Sequence, residues 1–325
     1  MKEIVIAADL GGTNLRTAAV DESGAILFRT KRETPRGERV NEIIGAIVEG
    51  VADCRKERPD FQVKAISAAV PATVSVECGL ILKAPNLPAL NNFEMSAALE
   101  NELGIKAFLE NDANAAAIGE NWLGASKGCD DSIMVTLGTG VGGGIIVGGK
   151  ILRGKDGTAG EIGHISVEPF GAPCGCGARG CVEQYASATA IVRLAKELES
   201  QYPQSALNRN SRLTAHDIYQ AGAVDGDELA LEVFRRMGFY LGIALSDLIN
   251  ILNPETIVIG GGASAGWSLF LPHLQETIDA RAYGEPARRA QISLSILGDD
   301  AGLIGAARLA FDSLPQPNAR FLDRV

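Results

Sequence analysis

Each half of the chain begins in the same way: an apolar run, a glycine turn carrying a threonine, and a second apolar run. The first copy is Asp-Leu-Gly-Gly-Thr-Asn at 9–14, entered from the run Glu-Ile-Val-Ile-Ala-Ala-Asp at 3–9. The second is Thr-Leu-Gly-Thr-Gly-Val at 136–141, entered from the strand-like Ile133–Leu137. Strands first, then alternating strand and helix, occur twice. This echo predicts two similar α/β domains facing one cleft. A length of 325 residues suits two domains, each able to bury its own core.

Periodicity fills in the pattern. Residues 3–9, Leu15 to Val20 and Ala25–Thr30 read as strands. Val40, Ile43, Ile44, Ile47, Val48 and Val51 form one apolar helical stripe. Val63–Val70 is a strand ended by Pro71, and a helix near Phe93–Leu103 leads to a strand at Ile105–Leu109. Asn111-Asp112 caps an alanine-rich helix over 113–120. After the glycine-rich run at 138–144 the chain returns as a strand at Ile145–Val147. Val182–Leu198 reads as one helix and 201–212 as a loop. Thr214 and Asp217 form a capping-box start, and Glu228–Leu252 is a long helix ended by Asn253-Pro254. Thr256–Ile259 runs into Gly260-Gly261-Gly262. Ile292–Leu297 is a last strand, and a helix from Leu303 closes the chain.

Charge excludes some partners. Thirty basic against forty acidic residues give a formal charge of −10, which argues against nucleic acid and anionic membrane surfaces. The N-terminal apolar stretch is short and broken by Asp9, so it is no signal peptide. Residues 132–149 carry no charge, but their many glycines make a spanning helix implausible. A cytoplasmic protein with reduced thiols is expected.

The glycine turns suit phosphates. Gly138, Gly140 and Gly143 satisfy Gly-x-Gly-x-x-Gly, but a strand-like segment follows where a dinucleotide site requires a helix. A hairpin tip without side chains can instead aim consecutive N–H groups at phosphate oxygens. Gly11, Gly12, Thr13 and Asn14 form one such tip; Gly138, Thr139 and Gly140 form another. Gly261 and Gly262, after a strand, offer a flat approach for a nucleobase or ribose. Asp9, at the end of the first strand, is placed to help hold Mg²⁺. Asp112, taken alone, reads as an N-cap. The start of a helix at a strand's carboxyl end is also where open α/β folds place ligands, and a carboxylate there can take a proton from an attacking hydroxyl.

Residues 160–183 hold a metal-ligand pattern. Cys174, Cys176 and Cys181 with His164 make a closed Cys₃His set for a structural Zn²⁺, and the glycines at 175, 177 and 180 let the loop fold back on one point. Glu161 and Glu183 flank the ligands without being needed by the metal. His216 and His273 read as surface or cap residues; Cys54, Cys78 and Cys129 read as packing residues.

Six motifs stand together in order: Asp-Leu-Gly-Gly-Thr-Asn-Leu-Arg at 9–16, Glu-Asn-Asp-Ala-Asn-Ala-Ala at 110–116, Leu-Gly-Thr-Gly-Val-Gly-Gly-Gly at 137–144, Gly-Glu-Ile-Gly-His at 160–164, Cys-Gly-Cys-Gly-Ala-Arg-Gly-Cys-Val-Glu at 174–183 and Asn-Pro-Glu-Thr-Ile-Val-Ile-Gly-Gly-Gly at 253–262. Over nearly its whole length the chain resembles the ROK family of sugar kinases and repressors, most closely its bacterial glucokinases. The resemblance implies an actin-like (ribonuclease H-like) ATPase fold, two α/β domains around a hinged cleft. The expected division is a smaller domain of 1–115 plus 302–325 and a larger one of 116–301 carrying the zinc loop. Asp112 matches the family's catalytic base. Asn111, Glu161, His164 and Glu183 match its sugar-binding residues, with Asn86 a weaker contact. His164 would serve zinc through one ring nitrogen and sugar through the other. The glycine loops match the ATP-binding segments. Relatives suggest homo-dimers or homo-tetramers.

The implied activity is phosphorylation of D-glucose at its 6-hydroxyl by ATP, with Mg²⁺ and a structural zinc. Kinases for N-acetylmannosamine, N-acetylglucosamine or allose share these motifs. A repressor or sugar sensor is the other reading; repressors of this family carry a winged helix-turn-helix before the first loop, and only eight residues precede Asp9. One departure is visible: alanine stands at Ala72, where the family often has glycine.

Overall fold

A computed structural model describes residues 2–35 and 39–315. Of the expected domain segment 302–325, residues 316–325 lie outside the described residues. In chain order the elements are β1 (Lys2–Leu10), β2 (Asn14–Asp21), β3 (Ile26–Glu33), α1 (Val40–Glu57), β4 (Phe61–Val70), β5 (Thr73–Ser75), β6 (Leu80–Lys83), α2 (Met95–Leu103), β7 (Lys106–Asn111) and α3 (Asp112–Leu123). Then follow β8 (Ser132–Leu137), β9 (Val141–Val147), β10 (Lys150–Ile151), α4 (Glu183–Ala186), α5 (Ala188–Leu198), α6 (Ala215–Asp225), α7 (Glu228–Leu252), β11 (Thr256–Gly260), α8 (Trp267–Arg281), α9 (Gly284–Arg289), β12 (Gln291–Leu294) and α10 (Ala301–Ser313).

The chain forms two compact units. One takes residues up to 122, 154–158 and from 300 onward; the other takes 123–153 and 159–299. Each holds a five-stranded sheet of the same plan, β3-β2-β1-β4-β7 and β10-β9-β8-β11-β12. In both, two antiparallel hairpin pairings precede two parallel ones. The repeated strand–turn–strand of the sequence is therefore a repeated mixed sheet.

In the first unit β1 is buried on both faces, which is why it reads as an unbroken apolar run. Ile4, Ile6, Ala8 and Leu10 pack with Ile43, Ile47 and Val51 of α1 and Leu99 of α2. Val5 and Ala7 pack with Leu303, Ala306 and Ala310 of α10 on the other side. Strand alternation thus feeds two helical layers. The parallel strands bring their carboxyl ends to one edge, where Asp9 is in register with Ala69, and Ala69 with Glu110. Two strand spacings separate Asp9 from Glu110, roughly 10 Å.

Helices α3 and α10 cross at two glycines. A methyl group on Gly119 would collide with the Ala301 carbonyl, and one on Gly305 with the Ala115 carbonyl. Gly305→Ala is expected to destabilise the fold by about 1–3 kcal/mol, read as a lower urea midpoint at unchanged slope, because two backbones leave no volume for the methyl.

Three local readings change. The strand expected over Ile145–Val147 begins at Val141, so Gly142, Gly143 and Gly144 are strand residues rather than turn. A methyl on Gly143 would collide with Ile162, so the glycine serves close packing. The single helix expected over Val182–Leu198 is broken at Ser187, whose extended backbone ends α4 and whose hydroxyl accepts the Ala190 N–H to start α5. The last strand stops at Leu294, short of the expected Leu297. The Thr214/Asp217 capping box and the long α7 ending at Asn253 are as the sequence indicates; Asn253 closes the helix in the left-handed conformation.

Candidate active site

In the first unit, the β1–β2 turn is closed by the Gly11 N–H donating to the Asn14 carbonyl at 2.8 Å. Thr34 braces it twice: its hydroxyl donates to the Gly11 carbonyl and its N–H to the Thr13 carbonyl. Among the described residues the Gly12 and Thr13 amides have no protein acceptor, which suits an anion. Asn86, exposed in the 84–91 loop, lies beside this turn, its Cβ 3.8 Å from where a Gly12 side chain would begin. Asp9 forms an ion pair with Arg16, its register partner on β2.

At the end of β7 the cap falls to Asn111 rather than Asp112. Asn111 Oδ1 accepts the N–H groups of Ala113 and Asn114 at 2.9 and 3.1 Å, and its Nδ2 donates to the Ala72 carbonyl. Asp112 becomes the first residue of α3, its Oδ1 accepting the Ala113 N–H at 2.9 Å. A carboxylate in the first turn of a helix lies at the positive end of the helix dipole, which favours its ionised form. Glu110, buried below, accepts the Asn111 N–H and the Asn114 side-chain amide. Ala72 needs no positive φ, so alanine costs its backbone nothing.

The second unit holds the remaining candidates, and Glu183 and Gly163 pack against the β8–β9 hairpin. The Gly138–Gly140 turn directs its carbonyls at α5: Ala188 N–H donates to Gly138 O at 2.8 Å, and the Thr189 hydroxyl donates to Thr139 O at 2.9 Å. Among the described residues the Thr139 and Gly140 amides have no protein acceptor. Val141, the first residue of β9, touches both acidic motifs. Its N–H donates to Glu183 Oε2 at 3.1 Å, and Gly163 sits so close to its carbonyl that any side chain there would collide with it.

His164, Cys174, Cys176 and Cys181 present ligand atoms that all lie within 4.8 Å of one another. Cys176 Sγ and Cys181 Sγ are 3.6 Å apart, and Cys174 Sγ is 3.7 Å from His164 Nδ1. Tetrahedral coordination with bonds of about 2.0–2.3 Å requires such separations, so the four residues can hold a cation of zinc's geometry. Burial and the adjacent Cys174 and Cys176 sulfurs push the Cys181 thiol up to about 12; a bound dication would reverse this by holding the thiolate. With Nδ1 turned to the sulfurs, Nε2 faces Glu161 Oε2 at 4.0 Å. Both Glu161 and His164 are exposed.

Beside the Gly138–Thr139 turn a cavity of about 230 Å³ is lined by His216, Tyr219, Gly262, Ala263 and Phe234. Gly261 allows this approach, with φ +86° and its backbone packed on Leu137. His216, read from sequence as a surface or cap residue, is exposed but lines this cavity. Its capping box was the available signal: it starts α6 at Ala215, and the helix then puts His216 and Tyr219, three apart, on one face. The three other cysteines differ from one another. Cys54 is buried, its thiol pushed by burial up to about 12. Cys129 is half-buried, and Cys78 is exposed in the β5–β6 turn, so Cys78 does not pack.

A model of the ROK family matches residues 5–313. The chain belongs to the ROK family. Glucokinases of Halalkalibacterium halodurans and Thermotoga maritima are 38% and 37% identical to it, over 94% of this chain in each case and 94% and 96% of theirs. The crystal structure of a ROK family glucokinase from Streptomyces griseus in complex with glucose and AMPPNP matches with a TM-score of 0.81 at 36% identity, covering 95% of this chain and 99% of that one. ROK neighbours have the actin-like ATPase fold, and the two mixed sheets of this ROK chain are that fold. Among the described residues no helix is long and apolar enough to cross a membrane.

Proposed function

We propose that this ROK protein is a glucokinase that transfers the γ-phosphoryl group of ATP to the 6-hydroxyl of D-glucose. The observation that carries the reading is Val141, the residue that follows the amide-rich turn: Glu183 accepts its N–H, and Gly163 of the Glu161–His164 motif packs on its carbonyl. The similarity to glucokinases, one of them bound to glucose and AMPPNP, supports glucose as the sugar.

The Gly11–Asn14 and Gly138–Gly140 amides hold phosphate oxygens, and the His216–Tyr219 cavity beside Gly261 and Gly262 takes the nucleobase. Mg²⁺ bound with the nucleotide would neutralise charge at the phosphates, and Asp9 would offer it an oxygen ligand directly or through water. Glu161, His164 and Glu183 bind sugar hydroxyls, and Asn86 and Asn111 add polar contacts. Asp112 accepts the proton of the attacking 6-hydroxyl. His164, Cys174, Cys176 and Cys181 would hold a structural zinc; His164 would bind it through Nδ1 and keep Nε2 for the sugar.

Coupled ADP-release assays with glucose, N-acetylmannosamine, N-acetylglucosamine and allose test this. Glucose is expected to give the highest kcat/KM; a higher value for another hexose transfers the assignment to that sugar. His216→Ala is expected to raise the KM for ATP several-fold and leave that for glucose unchanged, as loss of one stacking wall removes apolar contact from the base alone.

A further inference from the structure

We infer that Glu183 is a positioning residue for the Gly138–Val141 turn, so that one carboxylate links the sugar site to the nucleotide site. The inference rests on reading that turn as a phosphate loop. Glu183 Oε2 accepts the Val141 N–H at 3.1 Å, and only glycine at 140 admits the carboxylate, because a methyl there would collide with Oε2. The short helix α4 thereby grips the turn at one end through Glu183. Just past its other end, Ala188 and Thr189 hold the carbonyls of Gly138 and Thr139.

The consequence is directional. With the Val141 amide and both carbonyls engaged, the amides at 139 and 140 face a ligand in a fixed arrangement, and preorganised donors bind more tightly than mobile ones. The other carboxylate oxygen of Glu183 remains for a sugar hydroxyl. The helix is in turn tied to the cysteine loop, by Cys181 two residues upstream and by Gln184 Nε2 donating to Cys174 Sγ at 3.7 Å. A sugar that orders Glu183 orders the turn. Linkage then requires that nucleotide and sugar strengthen each other's binding by one common factor.

The experiment is calorimetric titration of the full chain with Mg²⁺-AMPPNP, in the absence and presence of saturating glucose. Glu183→Ala is expected to weaken AMPPNP binding roughly ten-fold without any sugar present, the loss of one charge-assisted hydrogen bond. Glu183→Gln keeps an oxygen acceptor for the Val141 N–H and is expected to recover most of that loss. Glucose should tighten AMPPNP binding to the wild type and not to Glu183→Ala. Gly140→Ala, which evicts the carboxylate without removing it, should lose the same amount and add little to Glu183→Ala; it serves if Glu183→Ala fails to fold. Equal sugar-free affinity in wild type and Glu183→Ala overturns the inference, leaving Glu183 as a sugar ligand alone. A wild type that binds no AMPPNP overturns instead the phosphate-loop reading beneath it.

Discussion

Asp112→Asn is expected to lower kcat for glucose phosphorylation by roughly 10²–10⁴-fold, the range typical of a lost general base. The start of α3 survives this substitution. Asn111 carries the cap of α3, so the helix start does not depend on residue 112. Asparagine also keeps an oxygen where Asp112 Oδ1 accepts the Ala113 N–H. Thermal stability and glucose KM should therefore change little while turnover collapses, the pattern of a group whose contribution is made in the transition state. Near-normal turnover in the variant would remove Asp112 from the chemistry and leave it a first-turn helix residue.

Cys176→Ser is expected to raise the glucose KM by roughly 10–100-fold, the effect typical of disturbing the shell that orients a metal-bound histidine. Cys176 is the exposed sulfur of the set, so the hydroxyl disturbs no core, unlike a change at buried Cys174 or Cys181. What changes is the fourth ligand. With His164 Nδ1 no longer anchored, Nε2 loses its fixed direction beside Glu161. Elemental analysis should find one zinc per wild-type chain and little in the variant. A variant shown to be metal-free that retains the wild-type KM would separate the metal from sugar binding.

Both predictions depend on distinctions that residue types alone do not make. The pair Asn111-Asp112 is two good capping residues in a row, and sequence gives no rule for which one caps. The geometry of β7 decides it: Asn111 is pinned to Ala72 of the neighbouring strand connection and reaches two amides, so Asp112 falls inside the first turn. The run at 141–144 misleads for a related reason. Glycine is a turn residue by local preference, yet here it is a strand residue because Ile162 packs against it from a segment nineteen positions away.

The amino-acid order alone settled what is local or periodic: the paired strand–glycine turn–strand units, the stripe of α1, the capping box of α6, the full extent of α7, and the clustering of His164 with three cysteines, which lie within eighteen positions of one another. Short separations leave the backbone few ways to arrange such groups, so pattern and structure agree. Tertiary structure decided what long-range contact controls: the cavity that brings His216 and Tyr219 to the Gly138–Thr139 turn, the break at Ser187 that divides α4 from α5, and the bond from Glu183 to Val141, 42 positions apart. Each of these depends on which surfaces are brought together when the apolar faces of the elements are buried, and that is a property of the packed unit rather than of any window along the chain.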